Sequence, residues 1–160
     1  MDRNTYGSSR DSGGKKNFLR ICLIVGALVA VAVGLKITGD RESDAVDFTQ
    51  LTEDAIPQQL TGEIIPEYRD MERALACVID DKVYVLACRG EKPTTGYDIS
   101  IDRMELDEED DRQILTVQVV FTDPQAGASL TQEATWPYVA AETDLQKLPD
   151  EIQMKITYAD

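Results

Sequence analysis

The chain has 160 residues, 42% of them hydrophobic in type, with 16 basic and 30 acidic side chains, three cysteines and no histidine. Without histidine, neither a Ser-His or Cys-His nucleophile nor a His-ligated metal centre can form. A net charge of −14 repels phosphate backbones, and no basic patch with interleaved aromatics offsets it, so nucleic-acid binding is not expected.

Residues 1–17 are Ser/Gly-rich and charged, and read as a disordered basic cytoplasmic tail. Ile21–Leu35 then runs without a polar side chain. Extended to residues 18–37, with Arg20 and Lys36 snorkelling at its ends, the segment reaches the roughly 20 residues a bilayer span requires. A buried core helix and a cleavable signal peptide ending near Ala32-Val33-Gly34 are the alternatives. The basic front and the missing polar segment before that cleavage site favour an uncleaved signal anchor, N-terminus in the cytoplasm. Residues 38–45 form a polar stalk. From Ile37 onward, 10 basic face 28 acidic side chains, so the domain at residues 46–160 is an acidic, extracytoplasmic one.

Within that domain a first strand is predicted at 46–51. Thr52 or Asp54 is placed to cap a short helix running to Leu60, which tolerates Pro57 near its start. Ile64-Ile65-Pro66 reads as a break. Alternating or apolar runs predict strands at 73–79, 83–88, 97–105, 113–121, 130–140 and 152–158. Their number and spacing suggest an antiparallel β-sandwich or a partly open barrel. Pro137 is expected to put the 130–140 strand at an edge or to create a bulge. Cys77 and Cys88 fall in adjacent strands joined at Asp80-Asp81-Lys82. A tight turn there offsets them by three or four residues, which favours two buried thiols over a disulfide. Asp107–Asp111 (DEEDD) forms a hairpin tip, read as a solvated acidic turn; calcium binding is the alternative, although the spacing lacks a ligand-arranging loop.

Arg89–Ile101 (RGEKPTTGYDISI) carries the most local information. Pro93 fixes φ, Thr94 and Thr95 suit a tight turn, and Gly96 admits backbone conformations closed to other residues. Tyr97, Ile99 and Ile101 then alternate with polar residues into a strand. With Leu115–Phe121, Pro124 and Thr131–Tyr138 following in order, and Asp47–Pro57 leading in, the chain resembles the C-terminal domain family of PrcB-like protease complex subunits over roughly residues 46–142. Thr95 stands where that family often has a second glycine. Lys92–Tyr97 (KPTTGY) is also similar to a loop of chagasin-type cysteine protease inhibitors, which are immunoglobulin-like β-sandwiches. Lys92 replaces that family's asparagine, and its further binding loops have no clear counterpart here.

No nucleophile–base pair, cofactor fingerprint or CxxC spacing is present, so no catalytic residue, cofactor or metal is expected. The PrcB resemblance implies a non-catalytic role, binding and stabilising or regulating a surface or secreted protease. The residues expected to contact it are Pro93, Thr94, Thr95, Gly96 and Tyr97, then Trp136 and Tyr138 on the Pro137 strand. For the loop, the competing reading is a structural turn with Tyr97 plugging the core. For Trp136 it is core packing or cover for a sheet edge. A chagasin-like inhibitor working through Pro93–Tyr97 and an extracytoplasmic sensor or interaction module are the rival functions.

Overall fold

The structure, a computed structural model, describes residues 23–25, 27–28 and 43–159. Two four-stranded sheets pack face to face. In chain order the strands of this sandwich are β3 (Asp44–Ala45), β4 (Phe48–Gln50), β5 (Glu72–Ile79), β6 (Lys82–Arg89), β7 (Asp98–Glu109), β8 (Arg112–Thr122), β9 (Tyr138–Thr143) and β10 (Glu151–Tyr158). One sheet runs β5-β6-β9-β4, the other β10-β8-β7-β3. Two short strands, β1 (Leu23–Val25) and β2 (Ala27–Leu28), pair with the outer strands β5 and β10. The two sheets form no closed barrel. The sheet is also not purely antiparallel: β10 lies parallel to β8, from Glu151 opposite Ile114 to Tyr158 opposite Phe121. The chain gets there by leaving β8, crossing to the other sheet for β9 and crossing back.

The predicted tail and most of the predicted anchor and stalk lie outside the described residues. The five described residues of the 18–37 run are strand, and among the described residues no helix is long and apolar enough to cross a membrane.

Strand periodicity explains the core. On β6, Val83, Val85 and Ala87 face the opposite sheet, while Tyr84, Leu86 and Cys88 face outward, yet all six are buried. A second layer is the reason. Residues 58–68 form a short helical cap over the outer face of β5-β6-β9 and bury Leu60, Ile64 and Ile65 against Leu75, Cys77, Ile79 and Leu86. The predicted break at Ile64-Ile65-Pro66 is therefore helix. Pro66 cannot donate to the carbonyl four residues back, and the chain accommodates it by widening Leu60–Ile64 into π-helical turns, with Ile65 N–H reaching back to Leu60. The predicted helix ending at Leu60 is split: Glu53–Ala55 make one tight turn, and residues 58–60 are already the start of the cap. Between the sheets, Ala74, Ala76, Ala87 and Ala141 leave room for Met104, Phe121, Ile152 and Met154, a small-against-large fit. Cys77 pairs across β5-β6 with Tyr84, and Cys88 with Arg73; the thiols are free and buried. Burial pushes both up to about 12.

Both two-residue hairpin turns are Asp-Asp, with all four residues left-handed: φ is 49° and 63° at Asp80 and Asp81, and 52° and 61° at Asp110 and Asp111. This backbone matches the twist of a hairpin but favours Asn-Gly. An Asp80→Asn/Asp81→Gly variant is expected to gain about 1 kcal/mol in urea unfolding. No gain would show that the strain is already relieved elsewhere. Only Asp110-Asp111 form the tip of the acidic hairpin, because β7 continues through Glu109. Among the described residues no carboxylate group is arranged to hold a metal ion.

Beside the first turn, Lys82 Nζ donates to Glu142 Oε1 at 2.7 Å, and the Tyr84 hydroxyl donates to Glu142 Oε2 at 3.1 Å. The Lys82 hydrogen bond holds the Glu142 carboxyl below the usual glutamate range, with burial opposing it. A carboxyl lowered in the folded state contributes stability above its unfolded pKa, and that contribution is lost as pH falls through the lowered value. Glu142→Gln is therefore expected to flatten the acid limb of a stability–pH curve; an unchanged limb would remove this carboxylate from the account.

Candidate functional site: a stitched loop beside an open strand edge

The predicted loop lies at the end of the sandwich opposite the two hairpin turns, tied to its neighbours by hydrogen bonds. Lys92 and Thr135 exchange backbone bonds at 2.8 and 2.9 Å. The Thr135 hydroxyl donates to Thr94 O at 2.9 Å. Thr95 N–H donates to Thr131 O, and Thr131 N–H returns a bond to Thr95 Oγ1 at 3.0 Å. Gly96 has φ +94°, and a Cβ there would sit 2.8 Å from Leu130 Cδ2 and 3.0 Å from Pro124 Cβ. Glycine is thus required both by backbone conformation and by the close approach of the 124–130 segment.

Under the loop, Arg89 is only 3% exposed. Its Nη1 donates to Asp98 O at 2.9 Å and Thr122 O at 2.7 Å, and Nη2 pairs with Asp123. The guanidinium also lies 4.5 Å from the Phe121 ring centre and 5.1 Å from that of Tyr97. One side chain therefore joins the ends of β6, β7 and β8 and supports Tyr97 from below. Arg69, at the end of the cap, stacks on Trp136 at 4.3 Å. The indole N–H of Trp136 is buried without an acceptor among the described residues.

Thr95, Gly96, Tyr97, Trp136 and Tyr138 all line one groove of about 460 Å³, together with Gln50, Glu53 and Ser100. Pro93 is exposed outside it, and Thr94 is buried and bonded inward. Trp136 and Pro137 precede β9 instead of lying within a strand from 130, because residues 123–137 form a long loop stitched to 92–95. β9 itself is internal, between β6 and β4, so the expected edge strand is not found. Pro137 only contributes its carbonyl, to Arg89 N–H at 2.9 Å. Burial, with smaller contributions from Glu53 and Cys88, raises the Tyr138 phenol, which stays a neutral donor.

Two features had no sequence signal. Arg89 stands at the head of the informative stretch, but nothing local marks an arginine as buried. Gln50 is equally unmarked: its side-chain oxygen accepts Ile101 N–H at 2.9 Å across the groove, 51 residues away in sequence.

Fold and groove together define a helix-capped β-sandwich with a rigid, loop-walled cleft at one end. Residues 83–144, from the start of β6 past the end of β9, match the model of the PrcB C-terminal family, so the stretch that carries both cleft-forming loops is PrcB-like. The match leaves β3, β4, the cap, β5 and β10 outside it. Neither the curated proteins nor the solved structures compared with the chain match it.

Proposed function

We propose that this protein is a non-catalytic accessory subunit that binds a surface or secreted protease through the groove between the 92–97 loop and Trp136–Tyr138. The observation that carries the reading is the PrcB C-terminal match, which covers both loops of the groove and its lining from Thr95 to Ser100 and from Thr135 to Ala140. A partner that binds only the folded protease stabilises it by mass action. A cleft already rigid, with its loop stitched to residues 131–135, loses little entropy on docking.

In the same proposal residues 18–37 hold the domain at the outer face of the membrane and raise its local concentration there. Support for the anchor comes from its unbroken apolar run and basic flank. Alkaline carbonate extraction tests it: an anchored chain stays in the membrane pellet. A chain released to the supernatant would decide against the span and for the pairing of Leu23–Val25 and Ala27–Leu28 with the sheet edges, since the same residues cannot do both.

The binding test is a crosslinking pull-down from native membranes, comparing wild type with Ser100→Trp. That substitution adds bulk where β7 lines the groove and leaves the threonine stitches in place, unlike any change at Gly96. With folding confirmed by circular dichroism, a captured protease should be lost at least tenfold with the variant. The purified protein should then lengthen the protease's active lifetime. Inhibition in place of a longer lifetime would support the chagasin-like reading, and equal capture by both proteins would remove the groove from the interface.

A further inference from the structure

The groove has a backbone wall as well as side chains. β3 runs beside β7 only from residue 104 to 106: Asp44 and Ala45 pair with Leu106 and Glu105, and Val46 N–H donates to Met104 O at 3.0 Å. The chain then leaves that lane and crosses to the other sheet as β4, which pairs with β9. A β-bulge between Ile101 and Arg103 marks the same point on β7.

Beyond it, no strand among the described residues lies beside the outer edge of β7. Ladder parity identifies the groups it presents. Phe121 O accepts Ala159 N–H and Val119 O accepts the Thr157 hydroxyl, so both residues turn their backbone groups toward β10. Their partners across β7-β8 are Ile99 and Ile101. These are the non-bonded pairs of the antiparallel ladder, and the amides and carbonyls of Ile99 and Ile101 therefore face away from β8. Ile99 lines the groove. The amide of Ile101 confirms the direction, because it is the one capped by Gln50. The Gln50 side-chain oxygen thus stands where the carbonyl of a neighbouring strand would lie.

We propose that an extended segment of the protein partner adds to β7 along residues 97–101 as a further strand, completing the lane that β3 begins. This rests on the partner-binding reading above and specifies its mode. The open edge is roughly 16 Å long, room for about five extended residues. Main-chain bonds to Ile99 would hold the segment, and side chains on alternate positions would set its sequence. Inward positions meet Leu51, Ile56 and Tyr138, which calls for apolar residues. Outward positions meet the exposed carboxylates of Asp98 and Asp102, with Glu53 at the rim, which calls for Lys or Arg as cross-strand partners. The preferred segment is an alternating basic/apolar strand.

The probe is a capped alternating Lys-Val heptapeptide added to the full chain, read by amide hydrogen exchange at Ile99. Saturating peptide should slow Ile99 exchange by about tenfold or more. A Glu-Val heptapeptide, and a Lys-Val one N-methylated at alternate residues, should not slow it. Asp98→Lys/Asp102→Lys should transfer the preference to the Glu-Val peptide. Unchanged Ile99 exchange with the Lys-Val peptide, or equal slowing by all three peptides, would overturn the proposal. The two readings fail separately. Protease capture without Ile99 protection leaves the partner and removes the strand mode, whereas Ile99 protection without protease capture does the reverse.

Discussion

Arg89→Ala is expected to cost about 3–4 kcal/mol in urea or guanidinium unfolding, a large share of the stability of a domain this size. Three losses add up. The Asp98 and Thr122 carbonyls lose charge-assisted hydrogen bonds at a site where the guanidinium excludes water. The space between the Phe121 and Tyr97 rings is left empty. The Asp123 pairing contributes least, because that carboxylate is 58% exposed and water replaces its partner. Arg89→Met should keep the packing of the stem and recover part of the loss, whereas Arg89→Lys should not act as a conservative change, since a point charge cannot span three acceptors. An Arg89→Ala protein within 1 kcal/mol of wild type would refute the account of this residue as the tie between β6, β7 and β8. The expected loss includes function: without that tie the floor beneath Tyr97 goes, and the groove with it.

Leu60→Ala is expected to cost about 3 kcal/mol, at the lower middle of the range for truncating a buried leucine. Leu60 is fully buried between the cap and the outer face of the β5-β6-β9 sheet. The same change should reach the thiols. Cys77 and Cys88 lie beneath the cap, held near 12 by burial, so at pH 8 only about one in ten thousand is thiolate even before access is considered. In a Cys22→Ser background, a thiol reagent should therefore report opening of the cap. A 3 kcal/mol loss shared by that opening should speed the reaction about a hundredfold. If stability falls and the thiol rate does not, the cap is not the barrier. The raised thiol values also have a sign: a group kept neutral by burial supports the fold below its unfolded pKa. That support is lost as pH rises through the folded value, so the domain should weaken in alkali.

Much of this protein follows from local patterning. Alternating or apolar runs at 113–121 and 152–158 placed β8 and β10, because a two-residue period is a property of the strand alone. The offset of Cys77 and Cys88 followed from a tight turn at Asp80-Asp81, and the order of short motifs around Pro93–Tyr97 pointed to the PrcB family. Tertiary structure decided what depends on distant partners. Pro66 is read locally as a helix break, yet burial of Ile64 and Ile65 against the sheet keeps the cap helical through widened turns. Strand character at 130–134 was overridden by stitches to residues 92–95, which take up the backbone bonds a strand would have used. Parallel pairing of β10 with β8 depends on a path that crosses between sheets, which no window of sequence contains. The groove is tertiary in the same sense. Its loop, its tryptophan and Gln50 lie on separate segments, and the open edge of β7 exists only because the chain after Val46 leaves that lane for the other sheet.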